Sequence, residues 1–204
     1  MATTSSTAGT ATNDTAIGQF AWTSLSSATG AANGTTSTSA ADGDEAGDSN
    51  RLKLTNFSFD SALTTAASIQ GITVVIRKKR LSGQNTKDLY VYLMKSNATT
   101  GSNKGDTSTN WATSLTDYTY GGGSDLWGTT WSGSDFTSTF GVAIGANLQT
   151  ADAIAYIDSV TVTVDYTAGD AVIDPGSFSN RRGNVPWNCR TWQAIPNMIR
   201  REFV

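Results

Sequence analysis

The densest set of groups that could do chemistry is the acidic run Asp42-Gly-Asp-Glu-Ala-Gly-Asp48. Carboxylates interleaved with glycine can wrap Ca²⁺, a hard cation that takes oxygen ligands. The spacing is not that of an EF-hand loop, which needs ligands at alternate positions and a distal glutamate. A solvated acidic turn explains the run better, so no metal site is assigned. A pair of carboxylates could also hydrolyse a glycosidic bond. The chain has only two glutamates, Glu45 and Glu202, and neither sits at a recognisable strand end. Asp125 and Asp135 flank an aromatic loop and are the carboxylates closest to anything that reads as a groove. There is no histidine, and Cys189 is the single cysteine. This excludes Ser-His-Asp and Cys-His catalysis, imidazole metal sites and a histidine pH switch. It also excludes an intrachain disulfide framework, a cysteine zinc site and an iron–sulfur cluster. We therefore assign no catalytic residue and no cofactor, and expect a protein that is not an enzyme.

Aromatic residues offer a different chemistry. Trp111, Tyr118, Tyr120, Trp127 and Trp131 are interleaved with Gly121-Gly-Gly123. Rings carried on glycine-rich loops can stack on sugar faces, which makes Tyr120, Trp127 and Trp131 candidate carbohydrate contacts. The competing reading is that they anchor the core. A third candidate region is the C-terminal segment. Residues 181–204 carry Arg181, Arg182, Arg190, Arg200 and Arg201 against one acid, Glu202, whereas residues 1–50 carry five acids and no base. Five arginines without a wider basic face make too few phosphate contacts for a nucleic-acid site. An acidic start and a basic end instead suggest segments with different partners, or segments that meet across subunits.

These candidates must be positioned by strands. Ile72, Val74 and Ile76 alternate within Gly71-Ile-Thr-Val-Val-Ile-Arg77, and the chain returns as Asp88-Leu-Tyr-Val-Tyr-Leu-Met94 after Arg77-Lys-Lys-Arg80 and the turn Ser82-Gly-Gln-Asn85. This predicts a hairpin with a polar tip. Phe140, Val142 and Ile144 alternate, as do Val160, Val162, Val164 and Tyr166. Leu52 and Leu54 are out of phase with Phe57 and Phe59, which predicts a bulge near Thr55-Asn56. Phe20 and Trp22 begin an early strand, and Ala32-Asn-Gly-Thr35 reads as a hairpin turn. No helical period is present.

Composition agrees with this pattern. Ser and Thr make up roughly a quarter of the chain, far above ordinary usage. There are 20 glycines, and only 15% of residues are charged. The expected fold is an all-β, antiparallel β-sandwich of jelly-roll type, with about eight strands between residues 17 and 167. Residues 1–16 are expected to form an N-terminal strap. All three prolines lie after residue 174, at Pro175, Pro186 and Pro196. Residues 168–204 are expected to form an extended arm, because prolines so spaced favour extended chain. This arm is too apolar to be a solvated tail. Its expected docking residues are Trp187, Trp192, Ile195 and Phe203, with the five arginines around them. No apolar run is long enough to span a membrane, and the N-terminus lacks the features of a secretory signal.

Taken in order, several stretches resemble a β-sandwich domain that recurs in structural proteins of tailed bacteriophages. They are Leu54-Thr-Asn-Phe-Ser-Phe59, Ile69-Gln-Gly-Ile72, Asp88-Leu-Tyr-Val-Tyr-Leu93, Ser124-Asp-Leu-Trp-Gly128 and Val160-Thr-Val-Thr-Val-Asp-Tyr166. The resemblance covers about residues 17–167 and brings no active site with it. It implies a virion protein made in the host cytoplasm. Such a protein would dock on other virion proteins of capsid, neck or tail and form homo-oligomers, with no nucleic-acid or membrane partner. The alternatives are a carbohydrate-binding module and a receptor-binding tail component.

Overall fold

Alternation of apolar and polar residues decides which side of each strand turns inward. A computed structural model describes residues 1–41, 45–66 and 68–169. Within them lie twelve strands: β1 Ala2–Thr7, β2 Thr10–Asp14, β3 Trp22–Thr23, β4 Ser37–Ala40, β5 Gly47–Asp48, β6 Arg51–Thr55, β7 Ser68–Arg80, β8 Thr86–Lys95, β9 Ala98–Thr100, β10 Thr116–Gly122, β11 Gly141–Leu148 and β12 Ile154–Thr167. Among the described residues the helical pieces are three short 3₁₀ turns, and no helix there is long and apolar enough to cross a membrane.

The strands form two antiparallel sheets packed face to face, an all-β sandwich. The first sheet runs β10-β7-β12-β4-β3, with β1 added to the β4 side of β12. The second runs β2-β6-β11-β8-β9, with β5 added to the β6 side of β11. Between them lie Leu52 and Leu54 of β6, Ile72, Val74 and Ile76 of β7, Val91 and Leu93 of β8, Val142 and Ile144 of β11, and Val160, Val162 and Val164 of β12. Burying each such side chain is worth about 1.5–3 kcal/mol, which is why the two-residue period sets the register.

Three sequence expectations need correction. Residues 2–14 are not a strap apart from the sandwich. β1 pairs with β12 in one sheet and β2 pairs with β6 in the other, and the chain turns between them at Ala8-Gly9. Ala8 is buried at this corner, and a side chain at Gly9 would meet the Asn56 carbonyl at 2.7 Å. The stretch 72–94 is not a hydrogen-bonded hairpin either. β7 lies in the first sheet and β8 in the second, so the connection after Arg80 carries the chain across the sandwich. The phase slip at Thr55-Asn56 is a strand end rather than a bulge. β6 stops at Thr55, and Asn56 takes a left-handed conformation at φ 59° that asparagine tolerates.

Candidate functional site

β7 keeps its alternation beyond Ile76, so the next inward position is Lys78. A lysine is thereby driven between the sheets, fully buried. Facing it from the second sheet is Asp88 on β8, also buried. Asp88 points inward because β8 shifts register against β11 between Gly145 and Ala146, leaving Leu89 without a partner. That extra residue puts Thr86 and Asp88 on the same face as Val91 and Leu93.

The pair is enclosed by aromatic rings. The Lys78 ammonium lies 4.2 Å from the Trp111 ring centroid, 4.7 Å from that of Tyr118 and 5.1 Å from that of Tyr120. Such cation–ring contacts gain strength where water is excluded. Lys78 Nζ donates to Asp88 Oδ1 and to the Tyr120 hydroxyl oxygen. Tyr120 in turn donates its hydroxyl hydrogen to Asp88 Oδ2 at 2.8 Å. The indole N–H of Trp111 donates to Asp88 Oδ1 at 2.8 Å, and the Asp106 backbone N–H donates to Oδ2 at 2.9 Å. Both carboxylate oxygens are therefore satisfied, as a buried charge requires.

The lid over this cluster is tied down. Trp111 N–H bonds the Thr86 carbonyl at 2.9 Å, Arg80 Nε donates to the Trp111 carbonyl at 2.7 Å, and Tyr118 accepts from Ala112 N–H at 2.6 Å. Burial, only partly opposed by the Asp88 charge, brings Lys78 down from 10.5 to about 8. Burial, and then the same Asp88 charge, pushes the Tyr120 hydroxyl far above its ordinary value, so it stays protonated.

The aromatic residues singled out for sugar binding are core side chains. Trp127 is fully buried, with its indole N–H on the Ile72 carbonyl at 2.8 Å. Trp131 is buried against Phe136 and Phe140, with ring centroids 5.7 and 5.6 Å away, and its N–H bonds the Leu126 carbonyl at 3.0 Å. Tyr120 is buried over Lys78. Stacking on a sugar needs an open ring face, and these rings have theirs covered. Asp125 and Asp135 serve the loops that hold the tryptophans. Asp125 accepts from Trp127 N–H at 2.7 Å and pairs with Lys104 at 2.7 Å. Asp135 accepts from Ser132 N–H at 2.8 Å and pairs with Lys95 at 3.0 Å. Among the described residues, no three carboxylates or other metal-binding side chains converge. Asp42 and Asp44 of the acidic run lie outside the described residues, as do the arm's arginines and its anchors Trp187, Trp192, Ile195 and Phe203.

Lys78 and Asp88 were not among the sequence candidates. The available signal was phase, since Lys78 continues the series Ile72, Val74, Ile76. The neighbours Arg77, Lys79 and Arg80 mask it, because they carry the same charge as the inward lysine.

Three of the stretches singled out in the sequence, Ile69–Ile72, Ser124–Gly128 and Val160–Tyr166, meet at one place. Ile72 of β7 pairs in register with Val164 of β12. Its N–H bonds the Asp125 carbonyl at 3.0 Å, and its carbonyl accepts from Trp127. The chain matches no family model, no curated protein and no solved structure.

Proposed function

We propose that the chain is a non-enzymatic structural protein of a tailed-bacteriophage virion, built to be carried on the particle rather than to turn over a substrate. The observation that supports this reading is the convergence of Ile69–Ile72, Ser124–Gly128 and Val160–Tyr166 on one clip between loop and sheet. Three of the five stretches that resemble the phage domain thus act as one structural unit. In this reading the sandwich is a stable body, and residues 168–204 dock it on a capsid, neck or tail protein. Trp187, Trp192, Ile195 and Phe203 would supply the apolar anchors, ringed by Arg181, Arg182, Arg190, Arg200 and Arg201. Homo-oligomers on the particle follow from the many copies such proteins have.

The test is deletion of residues 170–204. The truncated chain should fold and fail to join the particle, as read by its absence from purified virions. Normal incorporation overturns docking by the arm. Location of the full chain by low-resolution imaging of the particle tests the virion assignment itself.

A further inference from the structure

We propose that Lys78 and Asp88 condense to an intramolecular isopeptide bond, a covalent tie between the two sheets. The inference stands on the buried cluster and is independent of the virion assignment.

The reacting atoms are already in place. Lys78 Nζ rests on Asp88 Oδ1 across the gap between β7 and β8, with both side chains buried. Condensing an ammonium with a carboxylate is unfavourable in water because both charged forms are well solvated. A dry pocket removes that solvation from the lysine and favours its neutral amine. Holding the partners in contact also replaces a bimolecular encounter, an effect equivalent to about 10⁵–10⁸ M in well-oriented systems.

Tyr120 supplies the proton path, because its oxygen accepts from Lys78 while its hydrogen is donated to Asp88 Oδ2. The ammonium passes one proton to the Tyr120 oxygen as Tyr120 passes its own to Oδ2. This leaves a neutral amine, a neutral acid and an unchanged phenol. The amine lone pair then attacks Asp88 Cγ. The negative charge that develops on Oδ1 faces the Trp111 indole N–H, 2.8 Å away. A second proton leaves the nitrogen through Tyr120 to Oδ2, and the C–Oδ2 bond breaks. One water departs, and an amide N–H remains on the former lysine. One C–N bond forms and one C–O bond breaks, with no oxidant or other reactant. The lowered proton affinity of Lys78 acts in the same direction, since it eases the first transfer. An ordinary ion pair could occupy the site, but a buried pair gains little over apolar packing, so it gives no comparable reason for the arrangement.

The experiment is intact-mass and tandem mass spectrometry of the full chain after denaturation. The wild type should weigh one water less than its sequence. A tryptic digest should contain one branched peptide joining residue 78 to residue 88. Lys78→Met and Asp88→Ala should regain the full mass. Tyr120→Phe, which keeps the ring, should slow bond formation by about a hundredfold or more in freshly refolded protein. Full sequence mass in aged wild type, with residues 78 and 88 on separate peptides, overturns the proposal. So does a missing water that maps to an aspartyl imide elsewhere. These readouts need only the wild-type chain, so a variant that fails to fold does not weaken the test.

Discussion

Replacing Trp127 by alanine and by phenylalanine separates what this residue does for the fold from any role on the surface. Its indole is fully buried, and its N–H reaches the Ile72 carbonyl at 2.8 Å. Its backbone carbonyl accepts from Ser102 N–H at 2.7 Å, and its φ is 59°. Alanine and phenylalanine both keep the Cβ, so the cost of that left-handed backbone is common to all three proteins. Emptying a site of this size costs about 3–5 kcal/mol. Phenylalanine fills most of the volume but leaves the Ile72 carbonyl without its donor, at a cost of about 1–3 kcal/mol. With a urea slope of about 2 kcal/mol/M, the unfolding midpoint should fall by about 2 M for Trp127→Ala and about 1 M for Trp127→Phe. Gly121 is coupled to the same bond, since a side chain there would meet Trp127 Nε1 at 2.5 Å. The costs of Gly121→Ala and Trp127→Ala should therefore add to more than the double variant loses. The assay is urea denaturation followed by circular dichroism. An alanine midpoint within about 0.5 M of wild type refutes the role of the indole as a clip. Loss of glycan-array binding at an unchanged midpoint would restore the sugar-binding reading.

Three further outcomes are expected. The Lys53 hydrogen bond at 2.9 Å holds Asp14 below its ordinary 3.8, and the Lys104 hydrogen bond does the same for Asp125. Folded values below the unfolded one contribute stability that is complete above pH 3.8 and is lost as pH falls through the folded values. Lys53→Met and Lys104→Met should each reduce the acid-induced fall in the urea midpoint between about pH 5 and pH 3, by no more than about 1 kcal/mol per pair. Gly9→Val should destabilise by about 1–3 kcal/mol in the same urea assay, because its Cβ would meet the Asn56 carbonyl at 2.7 Å. Deleting residues 1–7 uncovers the β12 edge from Thr161 to Tyr166, and light scattering should show concentration-dependent association.

Alternation alone reveals the inner faces of β7, β11 and β12, because each buried apolar side chain adds to the same two-residue signal. Alternation does not say which strand is the neighbour. The five residues Leu81–Asn85 are as short as a hairpin loop, yet they join strands in different sheets. β1 is illegible for another reason. Ala2-Thr-Thr-Ser-Ser-Thr7 has almost no apolar content, and it is held by its ladder to β12 and by side-chain bonds such as Ser5 to Thr163 at 2.7 Å. At the candidate site, Trp111 and Tyr120 stand out by residue type, but their partner Asp88 does not. Its inward direction depends on the shift at Leu89, a tertiary feature set against β11.

The last two of the described strands, β11 and β12, each occupy the middle of a sheet. Without them the sheets fall into four two-stranded ladders: β10 with β7, β4 with β3, β2 with β6, and β8 with β9. Isolated two-stranded ladders are marginal in water. A growing chain therefore has no body to fold into until Thr167 has left the ribosome, and a product truncated before Gly141 has none at all. Residues 168–204 are synthesised after that point. Any chain that carries them also carries every described strand of the sandwich, so a partner that gripped this segment would select chains with the whole sandwich and pass over broken ones.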